Sequence, residues 1–309
     1  MSEKVVIIAD PGIDTAFALG LAVHEPLLEV LAIVATAGNV SAEQATRNVH
    51  TLLSLIDPPG RLPRIGAALP IQYEINGTAL HGPNGLGGVP FPEVELHHPT
   101  PGDKLLVETI RQHPREVTII SLGPLSVLAR AIDRDPETMR LVRRLICMGG
   151  TWQEPGNAGP VSEFHFACDP EAARRVLRLG IPIVLAPLDI TRKLVFSPTD
   201  LLNLPNPTSR TVQILRQIVP FGIRATANLY GVEGFHLKDV VGLIPLVRPA
   251  AILTRSVYVD VETRGELTRG MSVIDTRPNR TATDNAELIT FIDIDVVRDY
   301  ITQTLGRVS

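Results

Sequence analysis

Cysteine is nearly missing from this chain: 309 residues contain two, Cys147 and Cys168. Two thiols in apolar surroundings exclude a disulfide-stapled scaffold and a multi-cysteine metal centre, and they read as reduced packing residues. Charge of one sign is missing too, since 29 Lys and Arg against 33 Asp and Glu leave a net charge of −4. That balance gives no electrostatic reason to bind nucleic acid or an anionic membrane. No apolar run reaches about 18 residues, so no transmembrane helix is predicted. Internal repeats and low-complexity tracts are absent as well. The opening Met-Ser-Glu-Lys leads straight into an apolar run without the profile of a signal peptide, so the expectation is a soluble, cytoplasmic, globular protein.

What is present is a 44% hydrophobic content dealt out in short apolar runs that alternate with helix-length amphipathic stretches. The runs predict strands over Val5 to Ile8, Val30 to Ala35, Val117 to Leu122, Leu145 to Met148 and Ile183 to Ala186. The stretches predict helices over Ala16 to Val23, Ala42 to Leu55, Lys104 to Arg111, Ser126 to Ile132, Pro170 to Arg178, Ser209 to Ile218 and Val240 to Val247. Val257 to Val261 and Met271 to Ile274 read as further strands, and Ile294 to Leu305 as a closing helix. Proline clusters at Pro58-Pro59, Pro90 to Pro92 and Pro205 to Pro207 mark loops rather than a linker. The reading is α/β: a single domain over 1–309 with a mostly parallel central sheet flanked by helices on both faces.

The chemistry gathers where predicted strands end. Asp10-Pro11-Gly12-Ile13-Asp14-Thr15 follows the first strand, and Pro-Gly turns the chain sharply into a helix. Both carboxylates then sit at the C-terminal edge of the sheet, where open α/β sheets bind ligands. They could hold a hard cation, a sugar hydroxyl or an attacking water, or Asp10 could simply cap the helix. Gly38-Asn39, Gly123-Pro124-Leu125-Ser126 and Met148-Gly149-Gly150 follow other strands onto the same rim. His81 to Gly88, with four glycines in eight residues, reads as a mobile surface loop whose exposed His81 could close over a ligand. Gly156-Asn157 and Glu163-Phe164-His165 offer amide, carboxylate and imidazole groups suited to adjacent hydroxyls. Asp169 fits a helix cap. Asp239, after Phe235-His236-Leu237-Lys238, is either a cap or a third oxygen ligand facing Asp10.

These pieces, in this order, resemble the inosine-uridine nucleoside hydrolase family over essentially the whole chain. The resemblance runs from Asp10-Pro11-Gly12 through Ala37-Gly38-Asn39-Val40, His81-Gly82, Gly123-Pro124-Leu125, Met148-Gly149-Gly150, Gly156-Asn157, Glu163-Phe164 and Asp169-Pro170-Glu171. It closes with Val261-Glu262-Thr263, Gly265-Glu266-Leu267-Thr268-Arg269-Gly270 and Asp275. It implies a Rossmann-like core, hydrolysis of the N-glycosidic bond of ribonucleosides, a calcium ion at the bottom of the pocket, and a homodimer or homotetramer. Carried onto matching positions, Asp10 becomes the general base for water attack. Asp14, Asn39, Asn157 and Glu163 match ribose-binding positions, with His81 and Met148 in the substrate-binding set. Asp10, Thr15, Ser126 (through its backbone carbonyl) and Asp239 match the calcium site.

The chain departs from the family pattern Asp-x-Asp-Pro-Gly-x-Asp-Asp at Ile8 and Thr15. Thr15 offers one neutral oxygen where the family has a carboxylate, which implies a weakened calcium site, because affinity tracks ligand charge. His165 replaces an asparagine that touches ribose. Lys238 stands where a histidine often protonates the departing base, and His236 is the alternative acid. An N-ribosyl hydrolase using metal-assisted water attack is one reading. A nucleoside- or ribose-binding homologue without efficient turnover is the other.

Overall fold

The computed structural model describes residues 2–56, 58, 60–71, 76–92, 94, 96 and 98–308. Its strands are β1 (Glu3–Ala9), β2 (Leu28–Ala35), β3 (Arg64–Gly66), β4 (Thr118–Leu122), β5 (Arg144–Met148), β6 (Ile183–Ala186), β7 (Val195–Phe196), β8 (Phe235–His236), β9 (Ile252–Val261), β10 (Ser272–Asp275) and β11 (Ala286–Ile292). Nine of them make one sheet in the order β10-β9-β11-β6-β5-β4-β1-β2-β3, while β7 pairs with β8. From β11 across to β3 each neighbour runs parallel, and β9 is antiparallel to both β11 and β10.

The continuous apolar run of β1 follows from burial on both faces. Val5, Ile7 and Ala9 enter one core, built with helices Ile13–Ala22, Ala42–Ile56 and Arg210–Tyr230. Val6 and Ile8 point the other way, into a core built with Gly102–Gln112, Ser126–Arg134 and Pro170–Leu177. Each such side chain contributes about 1.5–3 kcal/mol by leaving water, which fixes β1 in register from both sides. Ile8 is thus a core residue and has no exposed role.

The chain steps outward from β1 through β2 to β3, then returns to lay β4, β5 and β6 on the other side of β1. The order reverses between β1 and β4, and the crevice beyond such a switch point is where this architecture admits ligands. Asp10 stands at that place.

The predicted strands and helices are found, with several corrections. β9 starts five residues earlier than predicted, and β11 and β3 were not anticipated. Predicted helix 240–247 is two short turns, Lys238–Val241 and Ile244–Val247, because Pro245 has no amide to donate back to the first. The helix expected to end at Ile218 runs on past Pro220 to Tyr230 and stops at Gly231, whose φ is 66°. The segment after His81 is not an open flap over an exposed histidine. His81 is buried at the end of helix Thr78–His81, and the glycines serve close packing: a Cβ on Gly85 would lie 2.7 Å from the Pro11 carbonyl, one on Gly87 2.9 Å from that of Ile218. Cys147 and Cys168 are free and buried, as expected. Pro59 lies outside the described residues. Among those residues, no helix is long and apolar enough to cross a membrane.

Candidate functional site

Asp10 leaves the end of β1 fully buried. Both of its carboxylate oxygens lie 2.9 Å from the backbone N–H of Asn39, whose side-chain Nδ2 donates back to the Asp10 carbonyl at 3.0 Å. Asn39 therefore clamps Asp10 in place, and Gly38 must be glycine because a Cβ there would strike Asp10 Oδ2. Burial pushes the Asp10 carboxyl well above its ordinary range; the Asn39 amide opposes this and the nearby Asp14 charge adds to it. The cap of helix Ile13–Ala22 is Gly12, with Thr15 Oγ1 accepting from the Gly12 amide at 3.2 Å, so Asp10 is no helix cap.

Thr15 Oγ1 lies 2.7 Å from the Asp10 carbonyl and 2.5 Å from Asp239 Oδ2. A hydroxyl carries one proton and cannot donate to both. Either a proton on Asp239 or a cation among these oxygens satisfies the second contact. Asp239, on helix Lys238–Val241, caps nothing. It too is pushed well up, by burial first and then by the Asp14 and Asp10 charges. Among the described residues, no group of three or more His, Cys, Asp or Glu is arranged to hold a metal ion. The oxygens that do converge are the Thr15 hydroxyl, the Asp10 backbone carbonyl and the Asp239 carboxylate, with the buried Asp10 carboxylate on the same residue, all hard oxygens of the type calcium accepts. Uncompensated negative charge and the doubly engaged Thr15 hydroxyl fit a cation, with less ligand charge than three carboxylates would supply. The Ser126 side chain is not part of this set: it donates to Asp169 Oδ2 at 2.7 Å, and Asp169 caps helix Pro170–Leu177. Only the Ser126 backbone carbonyl remains for an ion.

Beside this cluster, Glu163 caps helix Phe164–Cys168. Its Oε2 accepts from the amides of Gly150, His165 and Phe166 at 3.1, 3.0 and 3.3 Å, which leaves Oε1 to a ligand. Asn157 Oδ1 accepts from the Phe164 amide at 2.8 Å, so its Nδ2 is the end that can donate outward. His165 Nδ1 donates to the Met148 carbonyl at 3.3 Å. Asp14, Asn39, Met148, Asn157, Glu163, His165, Lys238 and Asp239 border one cavity of about 250 Å³.

A second cavity of about 370 Å³ adjoins it, sharing Asp14, His81, Asn157, Tyr230 and Lys238 and adding Arg192, Phe235 and His236. Its walls are mostly apolar. The Ile13 amide donates to His81 Nδ1 at 3.1 Å, so Nε2 carries the proton of the neutral ring. Burial lowers the His81 pKa to about 4, which keeps it neutral. His236 has the opposite tautomer: Nδ1 donates to the Arg192 carbonyl at 2.7 Å, leaving Nε2 as an acceptor, and burial followed by the Lys238 charge holds its pKa down. Lys238 is half-buried and has no hydrogen bond or ion pair among the described residues. Tyr230 and Arg192 escaped the sequence reading. Gly231, a left-handed helix stop, was the available signal that the helix runs on to Tyr230.

Residues 5–299 match the inosine-uridine preferring nucleoside hydrolase family. The chain is 33% identical over 314 residues to the non-specific ribonucleoside hydrolase RihC of Escherichia coli, covering 100% of both proteins. It is 34% identical over 307 residues to the pyrimidine-specific ribonucleoside hydrolase RihA of Salmonella enteritidis, covering 95% of this chain and 97% of that protein. Among solved structures it superposes on a plant nucleoside hydrolase, PpNRh1, with a TM-score of 0.92 and 26% identity, over 99% of this chain and 100% of that one.

Proposed function

Because the chain belongs to the inosine-uridine preferring nucleoside hydrolase family, a family of N-glycosyl hydrolases, we propose that it cleaves ribonucleosides by water attack at the anomeric carbon, with residues 1–309 acting as one domain. The observation that carries this reading is the buried Asp10–Thr15–Asp239 cluster at the β1–β4 switch point, with two joined cavities beside it.

Asp10 takes a proton from the attacking water. Its raised pKa moves a carboxylate toward the range where general bases work at neutral pH. Asp14, Asn157 Nδ2 and Glu163 Oε1 hold the ribose hydroxyls, while Asn39 keeps Asp10 aligned. His81 Nε2–H and His165 border the sugar. As the carbon–nitrogen bond breaks, positive charge grows on the sugar, and the carboxylates of Asp10, Asp14 and Glu163 stabilise it. The departing base takes its bonding electron pair and a proton. Lys238 has a proton to give, whereas His236 at neutral pH presents a lone pair. A calcium ion, held by Asp10, Asp239, Thr15 and the Ser126 carbonyl, supplies when bound a positive charge that favours deprotonation of water. The substrate is a free nucleoside, handled in the cytoplasm by a homodimer or homotetramer.

Hydrolysis of nitrophenyl riboside, inosine and uridine, with and without chelator, tests this reading. Turnover of all three is expected, reduced by chelator. If none is cleaved even with excess calcium, the hydrolase reading fails, and a nucleoside-binding homologue, which Thr15 and Lys238 favour, takes its place.

A further inference from the structure

The segment from Thr151 to Asn157, which leaves β5 and carries Asn157 to the cavities, has one apolar anchor, Trp152 packed against the core, and beyond it residues 153–155 are exposed. Hydrogen bonds must fix its course. Three of them converge on one side chain, Asp189, in helix Leu188–Thr191 just after β6. Asp189 Oδ2 accepts from the Trp152 amide at 2.8 Å and lies 3.1 Å from Thr151 Oγ1, whose one proton goes to the Glu154 carbonyl at 2.7 Å. Its Oδ1 accepts from the amides of Gln153 at 2.7 Å and Glu154 at 3.1 Å. Burial alone would raise this carboxyl, yet the amides outweigh it and hold the pKa below the ordinary value. One turn further on, Arg192 reaches the same segment, its guanidinium 3.3 Å from Glu154 Oε2. The Arg192 backbone carbonyl meanwhile accepts from His236 Nδ1 on the other cavity. The short helix thus touches the ribose-side segment through Asp189 and Arg192, and the base-side strand β8 through Arg192.

We infer that Asp189 is a positioning residue: through helix Leu188–Thr191 it holds Asn157 in register with the base-side wall, so that sugar and base are gripped by one rigid unit. It touches no substrate and lines neither cavity. The inference rests on the hydrolase reading above for the identity of the ligand. Its chemical requirement is specific. Both carboxylate oxygens face donors, so Asp189→Asn turns one of them into an NH₂ group opposed to at least one N–H group. An isosteric substitution at a partly exposed position should then do harm that a role in filling space does not explain.

The test is a double-mutant cycle with Asn157 in the purified full chain, read by kcat and KM on nitrophenyl riboside and by calorimetric binding of a ribonucleoside. Asp189→Asn is expected to raise KM about tenfold. Adding Asp189→Asn to Asn157→Ala should cost less than it does in the wild type, because Asn157 is the group whose position it sets. Thr151→Val, which removes the hydroxyl lodged between the Glu154 carbonyl and Asp189 Oδ2 and leaves the carboxylate, should shift KM the same way by less, and it serves if Asp189→Asn does not fold. Additive effects in the cycle, or an unchanged KM and binding constant in folded Asp189→Asn or Thr151→Val, overturn the inference. A wild type that neither binds nor cleaves ribonucleosides overturns the functional reading instead.

Discussion

The floor and the mouth of the site are built differently. On the floor, Asp10, Asn39 and Glu163 are buried, and the side chain of each is hydrogen-bonded to the backbone of a neighbouring strand end or helix start. At the mouth, Lys238 and His236 are half-exposed, Tyr230 is exposed, and Lys238 has no partner among the described residues. Backbone groups cannot move without the sheet, so the floor is fixed before substrate arrives, and electrostatic stabilisation of a developing sugar cation needs that. The mouth is a set of side chains on apolar walls, which can meet bases of different shape. In the proposed reading, the common part of a nucleoside is met by the fixed part of the protein.

Substitutions on the two sides should separate this contrast. The largest effect is expected for Asp10→Asn, which keeps the Asn39 contacts but cannot take a proton: kcat should fall about 1,000-fold on every substrate, with thermal stability retained. At the mouth, Lys238→Met should lower kcat about 100-fold on inosine and leave nitrophenyl riboside, whose leaving group needs no proton, within a few-fold of wild type. An equal loss on both substrates would make Lys238 a binder rather than an acid.

His81 joins the two sides, and its burial has a pH signature. Folded, it takes a proton only near pH 4, against an ordinary value of 6.5. Between these values the unfolded chain binds more protons, so this group's contribution to stability falls as the pH is lowered. Comparing urea denaturation of wild type and His81→Asn at pH 7.5 and 5 should show about 2 kcal/mol of this loss in the wild type alone. The raised carboxylates Asp10 and Asp239 act with the opposite sign in both proteins and cancel in the difference. The smallest expected effect is on the floor itself: Thr15→Asp should tighten calcium binding on the order of tenfold, read as the calcium-induced shift in melting temperature. No shift in either protein would mean that a proton, not a cation, bridges Thr15 and Asp239.

The floor was legible in the sequence because strand ends are marked by motifs. Asp10-Pro11-Gly12 after a continuous apolar run could hardly be placed elsewhere, and Gly38 before Asn39 recorded a close approach to Asp10. Glu163 was visible as a candidate, yet its second duty as a helix cap was not, since capping depends on where the short helix Phe164–Cys168 begins. The mouth was less legible. Tyr230 arrives on a helix that continues through Pro220, and local propensity argues for a break there that tertiary packing overrides. Asp189 gave no local signal, because the three amides that donate to it lie 35 to 37 residues away. Likewise β11 and its pairing with β9 are long-range facts, and the burial of His81 depends on neighbours brought in by the fold.

Strand β1, hydrogen-bonded along both edges to β2 and β4, has a kinetic consequence for the enzyme that hangs from it. Its amides have no free edge from which to open, so they should exchange with deuterium only when the whole sheet comes apart. Asp10, the proposed proton acceptor, follows directly on this strand. Heat or denaturant should therefore silence this protein in a single step, with catalysis and global structure disappearing at one midpoint and no population that has lost one while keeping the other.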